Sequence, residues 1–344
     1  MTTMMKAIGF KEHLPIESKN SLLEFETPKP TAKGHDLLVK VAAVSVNPVD
    51  VGVRKNGRGK LKQPRVIGWD AVGIVESIGS KVSLFKEGDR VFYAGSFKRP
   101  GSNSQYQLVD ERIVGHAPKS LSIQQTAAMP LTSLTAWEAL FEQLGIDPYN
   151  HNTNSTKTIL IINGSGGVGS IAIQLAHWAG LKVIASASRP ATIEWVTKFG
   201  ADQTVNHRQD LVKEVRGLGY KYVDFILELN DLDGHWDEMA ELIRPSGCIA
   251  SITENRHPVN LRKLMQKRAK FVWEWMYTKS FYQTSDMVTQ HQILEQVASL
   301  LDKNILKSTL NKTLSPINVQ NLKKAHQLVE SNHMTGKVVI SALE

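Results

Sequence analysis

Gly164-x-Gly166-x-x-Gly169 stands between a short apolar run, 158–162, and a helical pattern carried by Ile171, Ile173, Leu175, Ala176 and Ala179. Strand, glycine turn and helix in that order are what holding a dinucleotide pyrophosphate requires. Gly164 permits the tight turn, Gly166 lets backbone approach the phosphates, and Gly169 lets helix and strand pack closely. Backbone N–H groups of the new helix, from Gly167 and Val168 onward, then face the pyrophosphate with the helix dipole behind them. A purely structural glycine turn is the plain alternative. About twenty residues on, where an NAD site carries an acid for the ribose 2′-hydroxyl, the chain reads Ile184-Ala185-Ser186-Ala187-Ser188-Arg189. No acid is there. Ser188 can donate to a 2′-phosphate and Arg189 can pair with its charge, so the expected cofactor is NADP(H). Arg189 as a solvated helix-start residue is the alternative.

Other chemistry is bounded by what the chain lacks. The single cysteine, Cys248, excludes internal disulfides and a cysteine-built zinc site. Arg54, Lys55, Arg58, Lys60, Lys62 and Arg65 form a basic run, interleaved with Gly57 and Gly59, in a chain of net charge +8. It reads first as a solvated loop, second as a loop drawing an anionic ligand. No aromatic residue interrupts it to stack on bases, which argues against nucleic acid.

The elements that must position these residues follow from length and pattern. A chain of 344 residues suits two domains. Residues 1–127 alternate short strand-like runs (6–10, 37–46, 73–78, 89–93, 104–109) with Pro and Gly turns, and the basic run is expected as loop. Helices are expected over 124–129 and 133–144. After the glycine turn, strands (182–187, 203–206, 223–229, 248–252) alternate with helices (191–199, 210–217, 234–243, 261–268), the pattern of a parallel sheet wrapped by helices. Phe271, Trp273, Trp275 and Tyr277 fall at every second residue, so one strand would place all four on one face. That face is either core or a sheet edge pairing across a dimer axis. Helices over 287–301 and 319–331 and a last strand over 336–340 complete the chain. No apolar run reaches membrane-span length, and the start of the chain lacks a signal-peptide layout, so the expected location is cytoplasmic.

Taken together, Asn47-Pro48-Val49-Asp50, Gly68-Trp69-Asp70-Ala71-Val72-Gly73, Phe85-Lys86-Glu87-Gly88-Asp89-Arg90-Val91, Met129-Pro130-Leu131-Thr132, the glycine turn and Gly336-Lys337-Val338-Val339 resemble the medium-chain dehydrogenase/reductase superfamily. The resemblance spans nearly the whole chain and is greatest to the quinone oxidoreductase branch, in particular the bacterial zinc-type alcohol dehydrogenase-like proteins. It implies an α/β protein in which a Rossmann doubly wound parallel sheet (129–280) is inserted in a GroES-like β-rich catalytic domain (1–128 and 281–344), with the substrate cleft between them. It also implies Thr132 and Thr135 near the nicotinamide or its phosphate, Val168 behind the ring, His207 on the phosphate side, and Ser251 to Thr253 against the carboxamide. Lys337 reaches the cleft or is a plain surface lysine.

The departures from the family decide the expected reaction. Where zinc members carry a cysteine and a His-Glu pair, this chain has 45–50 and Trp69-Asp70, without cysteine or histidine. Asp50 and Asp70 could supply two ligands at most, against the three a catalytic zinc needs, so no zinc is expected. Asp50 reads as a structural hydrogen-bond acceptor. Without a Lewis acid to lower an alcohol's pKa, hydride transfer to a quinone or an α,β-unsaturated carbonyl is the expected activity. Asn47 and Arg54 match positions that could hydrogen-bond the acceptor carbonyl, and Trp69 offers either a flat wall or a core tryptophan. The tyrosine many quinone reductases carry two residues before the arginine is Gly52 here, which leaves the proton donor unassigned. A zinc-dependent alcohol dehydrogenase with atypical ligands and a non-catalytic NADPH- or RNA-binding protein are the rival readings. A homodimer through 271–277 is expected.

Overall fold

Alternating apolar and polar residues set most strands of the first stretch in the computed structural model, which describes residues 3–342. They are β1 (Met4–Glu12), β2 (Leu23–Pro28), β3 (Asp36–Ser45), β4 (Lys60–Val66), β5 (Ala71–Ile78), β6 (Arg90–Tyr93), β7 (Tyr106–Asp110) and β8 (Val114–His116). The basic run is not a loop. Its first residues lie in helix α1 (Pro48–Lys55), and Lys60, Lys62 and Arg65 lie on β4, antiparallel to β1 at the edge of a three-stranded sheet ordered β2-β1-β4. Charged residues are well placed on an edge strand, because they discourage pairing with another chain. Helix α1 begins where Asn47 caps it, Pro48 supplies a first-turn residue without an N–H, and Asp50 Oδ2 accepts the Asn47 N–H at 2.8 Å. Helix α2 (Ile123–Ala127) follows.

From Pro130 the period changes for good. Helix α3 (Pro130–Trp137) starts at the proline that follows the helix expected over 124–129, then widens into a π-helical turn over Glu138–Gln143. Proline's missing N–H costs nothing in a first turn. The stretch then runs α4 (His151–Asn154), β9 (Thr158–Ile162), α5 (Gly167–Trp178), β10 (Lys182–Ser186), α6 (Pro190–Lys198), β11 (Gln203–Val205), α7 (Leu211–Gly217), β12 (Val223–Glu228), α8 (Leu232–Leu242), β13 (Ile243–Ser251), α9 (Arg262–Met265) and β14 (Lys270–Trp273). Every pairing is parallel and the order is β11-β10-β9-β12-β13-β14. Counted from β9 this is 3-2-1-4-5-6, the dinucleotide-binding order whose reversal point flanks β9. Leu160, Ile162, Ile184, Ile226 and Ile249 are buried with Trp236 and Met239 of α8, as strands covered on both faces require.

The 271–277 expectation needs correction. The strand stops at Trp273; Phe271 packs on the sheet's core cluster, Trp273 and Trp275 are 47% and 42% exposed, and Tyr277 is buried. The four aromatics do not share a face, because the backbone leaves the extended conformation after Trp273.

The remainder comprises α10 (Thr278–Tyr282), α11 (Thr289–Asp302), β15 (Leu310–Leu314), α12 (Val319–Glu330) and β16 (Lys337–Ser341). Strand β16 inserts between β15 and β3 in a seven-stranded sheet ordered β15-β16-β3-β5-β6-β8, with β7 also pairing β3. The chain therefore divides into two compact units: unit 1 is the stretch up to Leu131 with that from Tyr277 onward, and unit 2 is Thr132–Met276. These junctions lie at 131/132 and 276/277, where the sequence placed them at 128/129 and 280/281. Among the described residues no helix is long and apolar enough to cross a membrane.

Candidate active site

In unit 2 the glycine turn leaves β9 through Asn163, whose φ of 66° places it in the left-handed region that asparagine enters more readily than most residues. A Cβ on Gly169 would sit 2.6 Å from the Gly164 carbonyl oxygen and 2.7 Å from that of Asn163, so helix and strand approach too closely for any side chain. A Cβ on Gly166 would meet nothing nearer than 3.6 Å. Protein packing does not demand that glycine; a phosphate lying against it would. Gly166, Gly167 and Val168 are half-exposed while Gly164 and Gly169 are buried. The first-turn N–H groups of α5 have no acceptor within the helix. Residues and geometry thus fit a pyrophosphate.

At the end of β10, Ser186 Oγ accepts the Asn163 N–H at 2.8 Å and lies 3.0 Å from His207 Nδ1. Burial, with His235 and Arg208 nearby, lowers the His207 pKa, so this imidazole is neutral at pH 7 and brings no charge to a phosphate. Ser188 and Arg189 follow, both half-buried, and Arg189 caps α6, its N–H reaching Thr192 Oγ1 at 3.1 Å. Thr132 and Thr135 lie buried three residues apart on α3, facing one way.

Ser251 ends β13 and Thr253 follows it. Their hydroxyls donate to Glu228 Oε2 at 2.7 and 2.5 Å, while Glu228 Oε1 takes the N–H groups of Asn230 and Asp231. Glu228, fully buried, organises the ends of β12 and β13, and the sequence reading missed it. An acid closing the apolar run 223–228 was the available signal.

In unit 1 a polar cluster lies where α1, β5 and β16 converge. Lys337 Nζ is 2.9 Å from Asp70 Oδ2, 3.3 Å from the Val46 carbonyl oxygen, and bonded to Asn47 Oδ1. Asp70 also accepts the Asn47 side-chain amide at 2.8 Å and the Leu131 N–H at 2.7 Å. All three side chains, with that of Asp50, are buried. Lys337 is therefore not a surface lysine. Burial pushes the Asp70 carboxyl up while the Lys337 ammonium and the Leu131 and Asn47 donors pull it down. With three donors around it, Asp70 holds the negative charge of the pair. Burial drives Asp50, which has one backbone donor, up to about 7.

Trp69 is 1% exposed. Phe97 stacks on it (centroids 5.1 Å apart, planes at 13°) and Tyr277 meets it edge-on at 6.1 Å. Trp69 is therefore the floor of an aromatic stack and not its exposed wall; half-buried Phe97 is the more accessible ring. Arg54 is corrected outright. Its guanidinium, fully buried, is spent on the Leu14 carbonyl, Glu330 and, at 3.4 Å, His326 Nδ1. It pins α1 to α12 and is not offered to a carbonyl of a ligand. Asn47 sits in the polar cluster with its amide committed to Asp70 and its Oδ1 to Lys337. Zinc does not fit these residues: an ammonium already lies against Asp70, and among the described residues no group of three or more His, Cys, Asp or Glu side chains could hold a metal ion.

The family model described as alcohol dehydrogenase GroES-like domain matches residues 33–132, and that described as zinc-binding dehydrogenase matches residues 167–290. A zinc-type alcohol dehydrogenase-like protein of Staphylococcus epidermidis is 42% identical over 337 residues, 98% of this chain and 99% of that one. The crystal structure of a Rhizobium etli protein assigned as a zinc-dependent alcohol dehydrogenase superposes with a TM-score of 0.94 at 45% identity, covering 100% of both chains. The NADPH-dependent alkenal/one oxidoreductase of Arabidopsis thaliana chloroplasts is 29% identical over 330 residues, 92% of this chain and 75% of that one.

Proposed function

Because the chain belongs to the medium-chain dehydrogenase/reductase superfamily of oxidoreductases, we propose that it is an NADPH-dependent reductase of quinones or α,β-unsaturated carbonyls. It works without a metal, as a cytoplasmic homodimer. The observation that carries this reading is the Lys337 ammonium 2.9 Å from Asp70. The chain's own cation occupies the polar cluster, and nothing there would polarise an alcohol oxygen as a metal does. A quinone or enone brings its own conjugation, which spreads the charge that develops at oxygen. Bound NADPH supplies a hydride from C4 of its nicotinamide. The chain's part is to hold the phosphates on the first turn of α5, to read the 2′-phosphate with Ser188 and Arg189, and to offer an apolar aromatic surface built on Trp69, Phe97 and Tyr277. The resemblance to an NADPH-dependent alkenal/one oxidoreductase supports the same cofactor and acceptor class.

A panel of quinones, enals and enones assayed with NADPH and with NADH, followed by elemental analysis of the same sample, tests it. Turnover with NADPH preferred and less than stoichiometric zinc is expected. No NADPH consumption across the panel, or alcohol oxidation that tracks bound zinc, would overturn it.

A further inference from the structure

We propose that Glu228 sets the hydrogen-bond polarity at the nicotinamide end of the dinucleotide site, making the Thr253 hydroxyl an acceptor that selects the carboxamide NH2. This rests on the NADPH reading. In a sheet of this order the two mononucleotides lie on opposite sides of the first strand, beyond the carboxyl ends of the strands. Ser188 and Arg189, the residues assigned to the 2′-phosphate, follow β10, so the nicotinamide half falls to the side of β12 and β13. Glu228 pairs with Ile162, the last residue of β9, and Ser251 pairs with Glu228. The ends of these strands are therefore level with the start of the glycine turn.

Four donors converge on the Glu228 carboxylate: Oε1 takes the N–H groups of Asn230 and Asp231, and Oε2 takes the hydroxyls of Ser251 at 2.7 Å and Thr253 at 2.5 Å. A carboxylate has no hydrogen to give, so at both hydroxyl contacts the hydrogen is spent on the acid. Ser251 Oγ also takes the Thr253 N–H at 3.1 Å, and its side chain is fully buried. The other acceptor within its reach, the Thr253 carbonyl oxygen, is farther away at 3.2 Å and carries no charge. Ser251 thus stands behind the site and fixes the backbone of Thr253.

Thr253 is half-buried, whereas Glu228 and Ser251 are fully buried, so Thr253 is the member of this group that a ligand can meet. With its hydrogen turned inward, its hydroxyl has only lone pairs to offer. Among the described residues no N–H is bonded to its Oγ1. The matching ligand group is a donor, and the nicotinamide carries one in its carboxamide NH2. A carboxamide turned the other way would set its carbonyl oxygen against a lone pair. Glu228 is a positioning residue: it touches no ligand and fixes which way round the carboxamide sits.

Glu228→Gln exchanges one carboxylate oxygen for NH2. The Asn230 and Asp231 N–H groups hold the amide oxygen, so the amide hydrogens face Ser251 and Thr253, whose hydroxyls must accept and turn their own hydrogens away. Calorimetric titration with NADPH and with its 3-acetylpyridine analogue, in which a methyl group replaces the carboxamide NH2, reads this polarity at equilibrium and without turnover. The wild type should bind NADPH about 3–10-fold more tightly than the analogue, the worth of one hydrogen bond. Glu228→Gln should bring that ratio to about one, because a hydroxyl donor serves the carbonyl oxygen that both compounds carry. Thr253→Val keeps the shape and removes the hydroxyl; it should also abolish the preference, and it carries the test if Glu228→Gln fails to fold. Adenosine 2′,5′-bisphosphate, which lacks the nicotinamide half, should bind all three proteins equally, as it would not if the variants merely loosened the sheet. Equal wild-type affinities for NADPH and the analogue, or the wild-type ratio retained in both variants, would overturn the proposal while NADPH binding stands. A wild type that does not bind NADPH would overturn the cofactor reading and this proposal with it.

Discussion

A guanidinium on a 2′-phosphate contributes roughly 1.5–3 kcal/mol through charge-assisted hydrogen bonds, so Arg189→Ala should cut the NADPH-over-NADH preference in kcat/KM about 10–100-fold. An unchanged ratio would remove Arg189 from the cofactor site. Two other residues set how stability responds to acid, with opposite signs. Asp50 titrates near 7 in the folded chain and about 3.9 unfolded, so between those values the native state holds the extra proton and stability falls as pH rises. His326 is buried and pushed down to about 3, against about 6.5 unfolded. There the unfolded chain holds the extra proton, and stability falls as pH drops. The two offset each other in the wild type. Asp50→Asn should expose the histidine, losing roughly 3 kcal/mol more than the wild type between about pH 6.5 and pH 4 in urea unfolding. Parallel pH profiles would contradict it. Arg189 could be read from the chain; the two titrations could not. Arg54 lies 272 residues from His326 and 276 from Glu330, and the burial that raises Asp50 exists only in the folded chain.

Elements carried more of their own signature. The glycine turn, the alternation after it and the parallel sheet could be read because their residues obey a local period. The second and third glycines of the motif separate function from packing. Gly169→Ala, whose Cβ would meet backbone at 2.6 Å, should lower the melting temperature and weaken NADPH binding together. Gly166→Ala, with nothing within 3.5 Å of its Cβ, should leave melting unchanged and weaken NADPH binding alone; calorimetry and cofactor titration on both variants check it. Strand β4 escaped because an edge strand reading Lys60-Leu61-Lys62-Gln63-Pro64-Arg65 has no apolar alternation. Helix α1 escaped because its caps, Asn47 and Pro48, also read as a turn. The 271–277 stretch was read too long because aromatic spacing alone does not say where the backbone stops being extended.

For the whole molecule, β14 is the edge of the unit 2 sheet and ends beside two exposed tryptophans, a combination that calls for cover. If that edge pairs across the axis of the proposed homodimer, Trp273→Glu should halve the mass seen by light scattering without altering far-UV dichroism; an unchanged mass would overturn pairing through this edge. The order of the chain has a further consequence, for biosynthesis. All strands of unit 2 leave the ribosome before β16, so that unit can fold during synthesis. The seven-stranded sheet of unit 1 cannot close at that stage, because β16 is an inner strand of it and follows all of unit 2 in the chain. Lys337 opens that strand. Until it emerges, Asp70 has no cation and is cheaper left in water, so charge pairing and sheet closure are one late event in the life of each nascent chain.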